Sequence, residues 1–458
     1  MVCAAQFVVV LDATVVTTAM PSIRVALGFT PAGLPWVITA YTLVFGALLI
    51  TGGRAADLIG PRRAFGLGLL VFAAGSAVCG SAGAPGVLVG GRVVQGLGAA
   101  LLSPAALVQL TALSEPGPDR RRAVGWWTAA AAGGGASGWV LGGLVTEFVG
   151  WRTVFWVNLP IAVLALIAAG RFLPPGERRA GTRPDWTGAL AVTATLALLV
   201  YGLSENRLAL PFALIAAAFL GRHLHRTADP LLPPRLLRSR PAAGANLTAL
   251  LLTATTTPAM YLSTLYVQQV LLLSPARASL LFPAFNAGVI AGSLGGPAVL
   301  RRLGARQTVL AGFAAIGAGA GLFATLPAGG GLPIGRLLTA FVVLGAGLGA
   351  ASVASTQVGT EAAEPEHRGV AAGVLNSSAQ IGTSLGVAVI VTPAGSVGTG
   401  FLVTGLVACA GLAAALLIPS SPARDQEQDD SRSAPVDQAD REGAPDGVSR
   451  RARTARRP

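Results

Sequence analysis

Residues 130–143 read AAAGGGASGWVLGG, and on a helix Ala130, Gly134, Gly138 and Gly142 fall on one face. In water that much glycine would weaken a helix by about 1 kcal/mol per residue, which favours a flexible linker. Inside a bilayer the balance reverses, because a backbone without internal hydrogen bonds has no other partner there. A smooth face of small residues spaced by four then lets a neighbouring helix approach closely. Gly143 extends this small-residue packing surface by one position. Long apolar runs flank the stretch on both sides, so the membrane-helix reading prevails over the linker.

Composition carries the same message along the chain. Of 458 residues, 53% are hydrophobic and 12% charged, about half the charge of an average soluble domain. Apolar runs of spanning length occur at 4–27, 34–52, 63–82, 85–112, 122–145, 152–172 and 186–204. They continue at 208–221, 242–268, 276–299, 306–327, 333–358, 368–392 and 398–418, which predicts fourteen spans. The first run starts almost at Met1 with no cleavage-site pattern after it, so it is expected to be a retained helix.

The net charge of +13 raises the possibility of nucleic acid, but its placement points to topology. The chain has no lysine, and a cytoplasmic N-terminus puts 27 of 33 arginines on the inner side. Such a bias is the positive-inside rule, and a missed or invented helix would scramble it. Nucleic-acid binding is therefore excluded, and both termini are expected in the cytoplasm of a cell with this protein in its inner membrane. Cys3, Cys79 and Cys409 lie in apolar stretches without metal or disulfide spacing and read as small packing residues. His223, His225 and His367 fall in cytoplasmic stretches and read as solvated. There is no Walker sequence, zinc pattern or aspartate-rich diphosphate motif, so enzymatic chemistry and a bound cofactor are not expected.

Two loops reveal an internal repeat. GGRAADLIGPRRAFGLG from Gly52 parallels GGPAVLRRLGARQTVLAG from Gly295, each with a central glycine, Gly60 and Gly304. PDRRRAVG at Pro118 parallels PEHRGVAAG at Pro365, and each opens a span with a small-residue face, the second being Ser378, Gly382 and Gly386. Corresponding points lie eight spans apart, so spans 1–6 match spans 9–14. The predicted organisation is an N-terminal six-helix half (1–173), two linker helices with cytoplasmic loops (174–241) and a C-terminal six-helix half (242–419). A polar tail (420–458), rich in Asp, Glu, Gln, Arg, Ser and Pro, is expected to be disordered. Substrate sites in such repeats lie between the halves near the midplane.

Charged groups inside spans mark candidate chemistry. Asp12 sits roughly 12 Å from the inner end of the first span at 1.5 Å per residue. A carboxylate there must be paired, protonated or facing water, and its ionisation then responds to its surroundings. Arg92, roughly 10 Å from the outer end of the fourth span, stays charged and can tune an acid or hold an anion. Their depths differ by less than about two turns, so they either pair directly or each finds a separate partner. Gln95 lies one turn beyond Arg92, with Gly96 and Gly98 allowing close packing. Asp57, at the membrane edge, can cap a helix or pair with Arg62 or Arg63 and reads as a conformational latch. Candidate polar groups for lining a cavity are Gln95, Gln268, Gln269, Asn286, Gln357, Asn376 and Gln380, though each taken singly reads as packing glue before ligand contact.

These stretches resemble the major facilitator superfamily, in particular its fourteen-span drug:proton antiporter branch, over about residues 4–418. LDATVVTTAMPSI at Leu11 is similar to that branch's first-span signature, with Asp12 in its acidic position. GGRAADLIGPRR resembles the superfamily's loop motif through Gly53, Asp57, Gly60, Arg62 and Arg63. RVVQGLGAA resembles the fourth-span motif, and GWRTVFWVNLP at Gly150 resembles the start of span six. Two positions depart. Trp139 follows Gly138 where the branch usually has proline, and its bulk is expected to enter the central cavity. Leu58 replaces the usual basic residue after Asp57.

The resemblance implies an all-α polytopic protein, two six-helix halves with an extra pair between them. It implies export of hydrophobic or amphipathic small molecules (drug or antibiotic efflux), driven by the proton gradient alone and coupled through Asp12 and Arg92. The partners so implied are the cargo, protons and the lipid bilayer. Two alternatives are an importer or facilitator of a small metabolite on the same fold, and a non-transporting membrane sensor using the tail.

Overall fold

A computed structural model describes residues 1–114, 117–174, 185–227, 239–326, 333–364, 368–393 and 396–420. Most of the two expected cytoplasmic connectors, His367 and the tail from 421 onward lie outside them. Each long apolar run within the described residues closes into helix. The N-terminal set is α1 (Val2–Leu27), α2 (Trp36–Ile59), α3 (Pro61–Gly80), α4 (Pro85–Ala112) and α5 (Pro118–Phe148), then α6 (Thr153–Trp156) and α7 (Asn158–Phe172). A pair follows, α8 (Trp186–Ser204) and α9 (Leu210–Arg226). The C-terminal set is α10 (Arg240–Leu265), α11 (Pro275–Ser279), α12 (Pro283–Leu303), α13 (Ala305–Ala324), α14 (Ile334–Glu361), α15 (Arg368–Gly386) and α16 (Val397–Ala414). Proline opens α3, α4, α5, α11 and α12, where its missing N–H has no helical partner to lose.

Twelve of these segments, with α6–α7 and α11–α12 each counted as one, are long and apolar enough to cross a membrane. The other two expected spans form helices of 31 and 26 residues, α5 and α10, that do not meet the same apolarity. The reason is composition: glycine, serine and charged residues in α5, and threonine and proline in α10, stand where other spans carry Leu and Val.

The sequence repeat returns as repeated packing. α1 packs on α5 as α10 packs on α15, α3 on α4 as α13 on α14, and α2 on α4 as α12 on α14. One glycine joins α2 to α3 and another joins α12 to α13, with φ of 90° at Gly60 and 84° at Gly304. A side chain is strained at that angle, so both turns require glycine. The extra pair α8–α9 lies against α2. His223 on α9 is not solvated as expected: its Nε2 lies 2.8 Å from Asp185 Oδ1, the residue that caps α8.

The glycine face of α5 meets α1. A Cβ on Gly134 would lie 2.5 Å from the Phe7 carbonyl, and one on Gly138 or Gly142 would strike Thr14 or Thr18. Gly143 faces elsewhere, against Pro275 and Ser279 of α11. In the second set Gly382 and Gly386 meet the Leu250 and Ala254 carbonyls of α10, and Ser378 donates to Asn246 Oδ1 at 3.0 Å. Close contact without side chains is thus how α1–α5 and α10–α15 associate in the absence of a hydrophobic drive.

Overpacking costs about 1–3 kcal/mol, so Gly142→Ala should lower the thermal midpoint of the detergent-solubilised protein by several degrees. Gly90→Ala, where nothing lies within 4 Å of the added carbon, should leave it unchanged. Equal midpoints for the two variants would show that the face is not a packing surface.

Candidate functional site

Five helices converge on the Asp12 carboxylate. Its Oδ2 pairs with Arg92 Nη1. Its Oδ1 accepts from Gln95 Nε2 at 3.0 Å and from Asn158 Nδ2 at 2.7 Å. Arg92 Nε donates to the Val37 carbonyl at 2.8 Å, its Nη1 also reaches Gln95 Oε1 at 2.8 Å, and its guanidinium carbon sits 4.3 Å from the Tyr41 ring centroid. Ser76 Oγ accepts from Gln95 Nε2 at 2.7 Å and from Asn158 Nδ2 at 3.3 Å. Asp12, Gln95, Ser76 and Asn158 are all fully buried, and Arg92 is 1% exposed.

Local sequence explains the convergence. Gln95 follows Arg92 by three residues on α4, so both face α1 and α3 from one stripe. Gly75 brings α3 so close that an added Cβ would lie 2.6 Å from the Gln95 nitrogen, and Gly96 does the same against the Tyr41 carbonyl of α2. Asn158 opens α7 directly after the break at Val157, which places its amide at the depth of Asp12. The two charges are therefore partners, and of the two arrangements open to them the direct pair is the one formed.

Several candidate residues occupy other roles. Gln95 does not line an open cavity, because its polar atoms are committed to Asp12, Arg92 and Ser76. Trp139 is buried rather than cavity-facing: its ring lies 4.8 Å from that of Phe282, where it fills the seam between the two sets. Gln268 Nε2 donates across the same seam to the Thr18 carbonyl at 3.0 Å. Asn286 turns back to the Phe282 carbonyl of its own helix, and Gln357 bonds to Glu361. Gln380 packs against Gly46 where α15 meets α2, and exposed Asn376 lines a cavity of about 240 Å³ together with Thr253, Ser352, Ser355 and Thr356.

At the loop motif, a Cβ on Gly53 would meet Pro104 in ordinary contact at 3.7 Å, whereas one on Gly52 would strike the Ala100 carbonyl. Arg62 donates to the Gly170 carbonyl at the end of α7. Asp57 is half-buried at the end of α2, and Arg63 is exposed. The residues missed from sequence are Ser76, Tyr41 and Asn158. Asn158 lies inside the quoted GWRTVFWVNLP stretch, and an amide in an apolar run was the available signal; a lone serine or tyrosine carries none.

The seam lies in the half of the bundle away from Met1. Besides Trp139 and Gln268, Glu147 Oε2 at the end of α5 accepts from the Ala276 N–H of α11 at 2.7 Å. The Thr42 and Ser384 hydroxyls meet at 2.9 Å between α2 and α15. The cavity lined by Asn376 lies nearer the other end of α14 and α15.

The family model for the major facilitator superfamily matches residues 2–387 and, in a second match, 247–452. The chain belongs to the major facilitator superfamily. It is a multi-pass membrane protein. It is 38% identical to the cephamycin export protein CmcT of Amycolatopsis lactamdurans over 86% of this chain and 84% of that one. The puromycin resistance protein pur8 of Streptomyces alboniger is 37% identical over 85% of this chain and 80% of its own length. A crystal structure of the peptide transporter POT with sulfate superposes with a TM-score of 0.68 at 16% identity, covering 91% of this chain and 92% of that one. That likeness concerns the fold alone.

Removing one member of a buried ion pair costs about 3–5 kcal/mol, while replacing both by apolar groups costs far less. Arg92→Met should accordingly destabilise the protein strongly, and Asp12→Leu combined with Arg92→Met should recover part of the loss. Thermal unfolding of the single and double variants in detergent checks this; additive losses would mean the two charges do not depend on each other.

Proposed function

We propose that this chain exports hydrophobic or amphipathic small molecules, antibiotics among them, in exchange for protons. The observation that carries the reading is the Asp12–Arg92 pair, an ionisable acid sealed at mid-depth among helices of the N-terminal set. Its relatives at 38% and 37% identity are a cephamycin exporter and a puromycin resistance protein. Taking up a proton cancels the charge of Asp12 and leaves Arg92, which keeps its own charge, beside a neutral carboxyl, the Val37 carbonyl, Gln95 and the face of Tyr41. The packing of α1 against α4 then changes, and with it which end of the bundle is closed.

The helix arrangement supports two moving bodies of six spans, 1–173 and 242–419, with a linker pair within 174–241. Counting α5 and α10 gives fourteen spans, since at 1.5 Å per residue each is longer than a core of about 30 Å. The arginine bias supports a cell-membrane protein with both termini on the cytoplasmic side. The described seam then lies at the outer side and the uncharged cavity at Asn376 on the inner side, where cargo would be taken up. Asp57, Gly53, Gly60, Arg62 and Arg63 form an inner latch, with Arg62 tying the start of α3 to the end of α7. The proton gradient is the only energy source in this reading, with no cofactor and no enzymatic step.

Inverted membrane vesicles with an acid interior should accumulate ethidium when they carry this protein, and an uncoupler should abolish the signal. Asp12→Asn should reduce accumulation to the background of empty vesicles, while deletion of 421–458 should leave most of it. Normal accumulation by Asp12→Asn would overturn the assignment of the carboxylate.

A further inference from the structure

Asn158 holds an unexplained atom. Its Nδ2 donates to Asp12 Oδ1 and Ser76 Oγ, yet its Oδ1 is buried with no hydrogen-bond partner. A buried carbonyl left without a donor is costly, and here it lies on the same amide that touches the acid. Ser76 accepts from both Gln95 and Asn158, so its own O–H remains free to donate.

We propose that Asn158 is a positioning residue whose amide reverses when Asp12 takes up its proton. This rests on the proton-coupled reading of Asp12 and adds the group that receives the acid's O–H. With Asp12 ionised, the NH2 end of the amide faces the carboxylate, as observed. When a proton from water binds Asp12 Oδ1, the carboxyl becomes a donor, and the Asn158 N–H that faces it loses its acceptor. Rotation by half a turn about the Asn158 Cβ–Cγ bond brings Oδ1 to that position. There it accepts the Asp12 O–H and lies within reach of the Ser76 O–H. The NH2 then takes the place that the unpartnered Oδ1 held. Release of the proton to the other side restores the first orientation, and no bond other than O–H forms or breaks.

The surroundings leave few competitors for the proton. Arg92 faces Asp12 from α4 as a permanent donor, and Tyr41 of α2 and Cys79 of α3 are the neighbouring titratable groups. The ionisable residues of α5 and α7 are confined to the ends of those helices: Asp119, Arg120, Arg121, Arg122 and Glu147 on one, Arg171 on the other. Cys79 Sγ lies 3.4 Å from Gln95 Oε1 and is not placed to reach the Asp12 proton.

The test is infrared difference spectroscopy between acid and alkaline pH on the full chain in lipid, with isotope-labelled asparagine. Asp12→Asn identifies the carboxyl band, and Asn158→Leu identifies the amide band. The expected result is an asparagine amide band that changes with the same pH midpoint as the Asp12 carboxyl C=O band. In Asn158→Leu the carboxyl band should persist at higher frequency, because its O–H has lost its acceptor. Asn158→Ser, which can both donate and accept, should restore part of the shift. In transport, Asn158→Leu should lower the maximal gradient-driven rate with little change in KM for ethidium. An amide band that does not titrate with the carboxyl, or a carboxyl frequency unchanged in Asn158→Leu, overturns the inference alone. If no Asp12 carboxyl band titrates in the unmodified protein, the proton-coupled reading falls with it.

Discussion

Burying a carboxylate and a guanidinium away from both water and lipid is costly unless each satisfies the other. Asp12 and Arg92 meet that requirement only because α1, α2, α3, α4 and α7 all deliver a group to one point. The rest of the N-terminal set follows from this constraint. α4 must present Arg92 and Gln95 together, α2 must offer the Val37 carbonyl and the Tyr41 face, and α7 must begin at Asn158. The break between α6 and α7 is thus tied to the charge pair and is more than an irregularity in a long helix.

Lipid supplies no hydrophobic drive between helices, so the approach of these elements depends on small residues. Gly134, Gly138 and Gly142 hold α5 on α1, and Gly75 and Gly96 draw α3 and α2 onto α4. Where α5 turns toward the other set, the surface changes character. Gly143 admits Ser279, Trp139 lies tilted against Phe282, and Glu147 accepts the Ala276 N–H. The face inside one set is thus small and smooth, and the face between sets is bulky and partly polar. The same division recurs in the second set, where Gly382 and Gly386 bind α10 and Thr42 meets Ser384 across the seam.

Much of this was legible in the residues themselves. Helix positions followed from run lengths, because a lipid-exposed backbone has one solution. The repeat followed from Gly60 and Gly304, whose positive φ no other residue tolerates well. Asp12 and Arg92 stood out because a charge inside an apolar run is rare enough to require a purpose. Asn158, Ser76 and Tyr41 did not stand out, since a single amide, hydroxyl or phenol in a span usually serves packing. Trp139 was misplaced for a related reason: its local sequence shows bulk beside a glycine face but not which neighbour receives it.

The sequence by itself determined that this is a helical membrane protein, that its loop and small-residue motifs repeat, and that one acid and one arginine lie inside apolar runs. Those properties are local, set by the transfer energy of each run and the backbone of each turn. Only the tertiary structure decided that the two charges are partners, that Gln95 and Asn158 complete their shell, and that Trp139 closes a seam. Each of these depends on which faces of distant helices meet, and contact between residues 146 positions apart, as for Asp12 and Asn158, leaves no mark in the spacing of either.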